Sequence, residues 1–294
     1  MNIFKQAIIM ACCLTILLPL SLGAQELKIG LIPEQNVFTQ RERYKVLGDY
    51  IEKQTGIKIN FVILMRYGNI MDNFRSDGMD GAFWGSFTGA LAMQKLGVEF
   101  LARPVNLNGN STYCGYIFVR KDSKIKNVRD MKHKRIVFVD KATTAGYVFP
   151  LAYFKRQGVG DIDAYFRESY FAGSHDAAIQ AVLDRKADVG CAKDTIYNLL
   201  AGQNPDLNAR LDIIATSPMV PSNGLGVRKD LSAELKRKLR NVLVGMDKNP
   251  AGLKALQQFH ALRFIPSDNS AYQPVFQIAK QADIDMITYR YVNK

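Results

Sequence analysis

Short β-rich runs alternate with amphipathic helical stretches along almost the whole chain, and this rhythm limits the folds open to it. "LKIGLI" (27–32) precedes "RERYKVLGDYIEKQTG", where Tyr44, Leu47 and Ile51 recur at helical spacing and Gly56 marks the end. "KINFVIL" (58–64), a helix candidate in "YGNIMDNFRSDG", "MDGAFWG" (79–85), the helix "SFTGALAMQKLG" and "VEFLAR" (98–103) continue the pattern. Such a βαβα order predicts mainly parallel sheets with helices on both faces.

A second series starts at "TYCGYIFVR" (112–120), a β-rich run long enough to bridge two lobes, and ends near "SPMVPSNGLGVRKD", which reads as a return crossing. The simplest assembly is two α/β lobes joined near residues 113–118 and 217–223. Residues 25–115 with 221–294 form lobe 1, and 116–220 form lobe 2. With 294 residues, 48% of them hydrophobic, there is ample core for both. The stripe Leu231, Leu235, Leu239, Val242, Met246 belongs to that core. Two lobes with a cleft suggest a ligand held at the carboxyl ends of strands.

Residues 1–24 read as a signal peptide: Lys5 is followed by an uncharged apolar run, then by small residues that place cleavage after Gly23 or Ala24. Cys12 and Cys13 lie inside the apolar run, which favours an exported, soluble protein over a lipid-anchored one. Cys114 and Cys191 remain; they read as two buried thiols, with a single bridge as the alternative. The formal charge is +12 without any block of like charges, which fits attraction to anions or plain solubility and gives no nucleic-acid tail. No metal-ligand spacing, nucleophile elbow or Ser-His-Asp set is visible, so no cofactor, metal or catalytic residue is assigned.

Three strand-to-helix junctions share a small polar signature: Trp84-Gly85-Ser86, Lys141 to Gly146 with Thr143, Thr144 and Ala145, and Gly173-Ser174-His175. A hydroxyl at any one of them explains itself as an N-cap. A helix start also offers free N–H groups and partial positive charge to an oxyanion, and three from one cleft rim surround a tetrahedral anion with donors. Gly146 leaves room for close approach of backbone and ligand, and Pro150 implies an irregular first turn. His175 keeps an N–H donor in either protonation state.

In these segments the chain resembles the phosphonate-, phosphate- and phosphite-binding proteins of bacterial ABC importers. "TTAGYVFP" is similar to their Ser-Thr-Ser-Gly-Tyr turn, "GSHDAAIQAVLDRKADVG" to their histidine-containing helix and following strand, "RYGNIMDNFRSDGMDGAFWGSFTGAL" to a lobe-one segment and "SPMVPSNGLGVRKD" to the return crossing. The resemblance covers nearly all of residues 26–260. It implies a type II periplasmic-binding-protein-like fold and a ligand set of Tyr67, Tyr113, Thr143, Thr144, Ala145 (through its backbone N–H), His175 and Asn223, to which the junction reading adds Ser86, with Trp84 and Asp194 in a second tier. Ala145 stands where the family often has a third hydroxyl, and Asn223 where phosphonate binders have an aspartate. Affinity is then expected from neutral donors and helix ends rather than salt bridges. The implied partners are a small phosphate-like oxyanion and an inner-membrane ABC permease, with the protein a monomer. The alternatives are signalling to a membrane sensor and, behind it, an exported phosphoester hydrolase.

Overall fold

The computed structural model describes residues 25–32, 34–63 and 70–291; the signal-peptide reading and Tyr67 lie outside them. In chain order the elements are β1 (Glu26–Leu31), α1 (Val37–Thr55), β2 (Lys58–Ile63), α2 (Ile70–Ser76), β3 (Gly81–Trp84), α3 (Ser86–Leu96), β4 (Glu99–Asn106), β5 (Thr112–Tyr113), β6 (Gly115–Arg120) and β7 (Arg135–Phe138). Then come α4 (Phe149–Arg156), α5 (Ile162–Tyr165), β8 (Glu168–Phe171), α6 (His175–Leu183), β9 (Val189–Lys193), α7 (Asp194–Gln203), α8 (Asp206–Arg210) and β10 (Leu211–Thr216). The chain finishes with β11 (Val220–Pro221), β12 (Gly224–Val227), α9 (Ala233–Val244), α10 (Pro250–Phe259), β13 (Ala261–Pro266) and α11 (Gln273–Gln281).

Two sheets carry these elements. One has the order β13-β4-β12-β3-β1-β2, the other β10-β6-β9-β7-β8, and the short pair β11-β5 sits where the chain passes between them. Both sheets are mixed, not mainly parallel. β1 pairs parallel with β2 and β3, and β7 with β8 and β9, whereas β12 runs antiparallel to β3 and β4, and β6 to β9 and β10. β6 and β12 directly follow the passages between lobes, so each enters its sheet from the partner lobe against the direction of the βαβ strands. Polar side chains tie the passages down: Asn106 Nδ2 donates to Thr112 O at 3.3 Å and to Ser222 Oγ at 3.0 Å, and Gly115 N–H to Ser217 Oγ at 2.8 Å.

The core divides in the same way. Tyr44, Leu47 and Ile51 of α1 pack with Phe83, Leu239, Leu256 and Phe259 on one face of the first sheet. On its other face Trp84, Phe87 and Phe100 join a larger cluster that continues into Phe118, Phe138 and Phe154 of the second lobe. In α9 the buried stripe runs through Leu235, Leu239 and Leu243, because Leu243 rather than Val242 turns inward.

The carboxyl-terminal segment bridges the lobes. α11 packs on both α3 and α4. Tyr289 OH donates to Lys141 O at 2.9 Å, its own carbonyl accepts from Lys95 Nζ at 2.5 Å, and its ring meets Phe87 edge-on at 5.5 Å. Cys114 and Cys191 are both buried free thiols. Among the described residues no helix is long and apolar enough to cross a membrane.

Candidate functional site

Three helix starts and one passage strand converge on a small enclosed cavity lined by Ser86 and Phe87 of α3, Tyr113 of β5, Thr143 and Thr144, His175 of α6, and Lys193 of β9. Its volume is about 10 Å3, close to the least that admits one water.

Ser86 is the first residue of α3 rather than its cap; Gly85 holds the N-cap position without a side-chain bond. The Ser86 hydroxyl is thereby released to the cavity, where its Oγ lies 2.5 Å from Tyr113 OH and 2.5 Å from Thr144 Oγ1. One hydroxyl triad thus joins the first lobe, the passage strand and the second lobe. Tyr113 is buried and keeps its proton, since burial raises its pKa.

The Thr143–Thr144 junction folds as the irregularity before Pro150 suggested. Residues Thr144–Val148 form one π turn, with Val148 N–H bonding back to Thr143 O at 3.0 Å, before α4 begins with Pro150 in its first turn. The two threonines then divide their roles. Thr144 points its hydroxyl at Ser86, whereas Thr143 Oγ1 donates to Asp140 O at 2.7 Å, so its proton is committed to the backbone. Ala145 is fully buried and is not among the lining residues. It packs on β6, where a Cβ on Gly115 would come 2.9 Å from Ala145 Cα. Gly146 likewise makes room for the protein and not for a ligand: an added Cβ would lie 2.4 Å from Val139 Cβ and 2.7 Å from Thr143 Oγ1. Gly146→Ala is therefore expected to destabilise the fold by about 1–3 kcal/mol in a urea melt, by overpacking the end of β7.

Ser174 caps α6, so His175 opens it, 3% exposed. His175 Nδ1 accepts the backbone N–H of Lys193 at 3.1 Å, which places the ring proton on Nε2. Burial, helped by the Lys193 charge, lowers its pKa to about 3, so the imidazole is neutral at physiological pH and serves as a donor through Nε2.

The residues that the sequence left unmarked are Lys193 and Glu34. Lys193 ends β9, 6% exposed, with Nζ 2.7 Å from Glu34 Oε1, 3.2 Å from Asn223 Oδ1 and 4.4 Å above the Tyr113 ring. Gln40 of α1 positions the loop carrying Glu34, accepting from Glu34 N–H at 3.1 Å while donating to Ile32 O at 2.6 Å. Burial alone would raise the Glu34 pKa, but Lys193 and Arg43, the latter 3.3 Å from Oε2, hold it down to about 2. A buried ammonium in the wall replaces the expectation of neutral donors alone; two of its three N–H groups go to Glu34 and Asn223.

The second-tier residues face elsewhere. Trp84 Nε1 donates to Gly226 O at 3.0 Å inside the first sheet. Asp194 Oδ1 accepts from Cys114 N–H at 3.1 Å and Thr195 N–H at 2.7 Å, tying α7 to the passage strand. Across the cleft rim, the Asn36 backbone N–H donates to Asp176 Oδ2 at 3.0 Å. No three His, Cys, Asp or Glu side chains cluster as a metal centre would need among the described residues.

The family described as ABC transporter, phosphonate, periplasmic substrate-binding protein matches residues 29–272. The phosphonates-binding periplasmic protein of Escherichia coli is 26% identical over 272 residues, covering 90% of this chain and 80% of that protein. A solved binding protein component of an ABC phosphonate transporter from Pseudomonas aeruginosa superposes with a TM-score of 0.81 at 25% identity, over 88% of this chain and 87% of that one. The structure of PhnD1 from Prochlorococcus marinus in complex with methylphosphonate shares the fold, with a TM-score of 0.77 at 21% identity over 88% of this chain and 99% of its own. With the family matched across most of its length, the chain belongs to the periplasmic substrate-binding proteins of phosphonate ABC transporters.

Proposed function

We propose that the two lobes close over a small phosphate-like oxyanion (phosphonate, phosphite or phosphate), held in the cradle of Ser86, Tyr113, Thr144, His175 and Lys193 for delivery to an ABC permease. The observation that carries this reading is the convergence of donors from both lobes on one small cavity beside a buried ammonium. An entering oxyanion accepts bonds from hydroxyls that otherwise bond one another, so its oxygens take over the bridge between Ser86 and Thr144. The starts of α3 and α6 add backbone dipoles of the right sign, and low dielectric strengthens each bond. Lys193 supplies charge from its remaining N–H while Glu34 keeps the ammonium in place.

Asn223 offers its oxygen to Lys193 and carries no charge of its own, which suits a fully ionised anion better than one that must donate a proton. On this reading the protein works in the periplasm as a monomer that binds its ligand and performs no chemistry on it.

Thr144→Val keeps the shape of the π turn and removes only the hydroxyl. Calorimetry with the bound oxyanion should show at least a tenfold loss, about 1.4 kcal/mol. Unchanged affinity would remove Thr144 from the ligand set.

A further inference from the structure

Tyr289 is not among the residues lining the cradle, yet it touches the supports of the cradle in both lobes at once. Its ring meets Phe87 edge-on at 5.5 Å, and Phe87 lines the cavity directly after Ser86. Its carbonyl accepts from Lys95 Nζ at 2.5 Å, near the other end of the same helix α3. Its hydroxyl donates to Lys141 O at 2.9 Å in the second lobe. From Lys141 the tie runs on to the cradle. Ala142 N–H donates to Asp140 Oδ1 at 2.8 Å and Thr143 N–H to Asp140 O at 3.0 Å, so the turn leading to Thr144 holds together as one piece.

The segment that carries Tyr289 is itself fastened to both lobes. α11 packs on α3 and α4, and Asp283, just past α11, pairs with Lys155 of α4. The Tyr291 ring lies 5.5 Å from that of Tyr289, tilted by 31°. Burial raises the pKa of Tyr289, so it keeps the proton that it gives to Lys141. The family match covers residues 29–272, and this segment follows it in the chain.

We propose that Tyr289 is a positioning residue for oxyanion binding, clasping the two lobes at the spacing where Ser86 and Thr144 reach one anion. The inference rests on the oxyanion reading above and adds what sets the distance between its donors. Ser86 Oγ and Thr144 Oγ1 come from separate lobes to within 2.5 Å of each other. A hydrogen bond tolerates only a few tenths of an ångström in length, so one anion engages both hydroxyls only where the lobe spacing is held. A clasp already in place lowers the ordering cost that the anion must otherwise meet. Because Tyr289 contacts no ligand, it strengthens the binding of every anion alike.

Tyr289→Phe keeps the ring on Phe87 and removes only the bond to Lys141, whereas Lys95→Met loosens the tie to the first lobe. Methylphosphonate, phosphite and phosphate are titrated into the wild type, both single variants and the double variant, with dissociation rates taken by stopped flow. Tyr289→Phe should weaken each anion that binds by the same factor, about three- to tenfold, through faster dissociation. The double variant should lose less than the product of the two single losses, because a clasp loosened at one end holds little at the other. A lower melting temperature with unchanged dissociation rates makes Tyr289 a packing residue and overturns the proposal. Losses that differ between anions, or that multiply in the double variant, overturn it as well. In each of these cases wild-type binding leaves the oxyanion reading standing. If the wild type binds none of the three anions, that reading falls and the positioning role falls with it.

Discussion

Replacing Lys193 with Met should cost roughly ten- to a hundredfold in oxyanion affinity, the weight of one charge-assisted hydrogen bond of about 1.5–3 kcal/mol. It should also destabilise the unliganded protein by about 3 kcal/mol in a urea melt, because Glu34, 4% exposed, loses the cation nearest to it. Arg43 stays as a second partner 3.3 Å away and keeps the loss toward the lower end for a broken buried pair. The double variant Lys193→Met/Glu34→Gln separates the two effects. Removing the stranded carboxylate should recover most of the stability and none of the affinity. If the double variant binds as the wild type does, Lys193 serves the fold alone.

Acid should unfold this protein earlier than its paired carboxylate alone would require. His175 is held neutral by burial with a pKa of about 3 against an ordinary 6.5, and Glu34 is held ionised at about 2 against 4.5, its two cations outweighing burial. Both groups take up protons more readily in the unfolded chain, so lowering the pH favours unfolding in each case. The His175 contribution is fully present above pH 6.5 and drains as the pH falls toward 3; that of Glu34 is present above 4.5 and drains toward 2. At about 1.36 kcal/mol per pH unit of separation, these amount to on the order of 5 and 3 kcal/mol. Melting temperature followed from pH 7.5 to 4 should therefore fall steeply before most carboxylates titrate. His175→Gln, which cannot ionise, should flatten the curve above pH 4.5 and leave the lower limb. A wild-type curve that is flat between pH 6.5 and 4.5 would mean that His175 is protonated in the native fold.

What the sequence made legible follows from where periodicity speaks. The 3.6- and 2-residue patterns located the elements and the two passages between sheets, because apolar spacing depends on which face is buried. They are blind to strand direction, so β6 and β12 were expected to join parallel sheets and do not. Ser86, Thr144 and His175 could be picked out because each sits at a strand-to-helix junction, where a polar residue has a local reason to be. Thr143, picked out by the same rule, lines the cavity but gives its hydroxyl proton to its own backbone three residues back, and the Ala145 side chain packs on Gly115.

Lys193 and Glu34 carried no such signal. A single lysine after "DVGCA" reads as a solvated strand end, and its burial depends on a glutamate 159 residues away in the chain. One clue was present: a wholly buried strand that ends in a charge delivers that charge to the carboxyl edge of the sheet, where clefts form. Asp194, one residue later, drew attention instead, but its carboxylate turns to the Cys114 and Thr195 amides.

The central claim is that both lobes grip a phosphorus oxyanion through a shared set of donors anchored by Lys193. Calorimetric titration of the wild-type protein with organophosphonate, phosphite, phosphate and sulfate, each repeated on Lys193→Met/Glu34→Gln, tests it most directly. At least one phosphorus oxyanion should bind with micromolar or tighter affinity, weakened at least tenfold in the double variant, with sulfate weaker throughout. Silence toward every phosphorus oxyanion, together with binding of an uncharged or cationic solute, would contradict it.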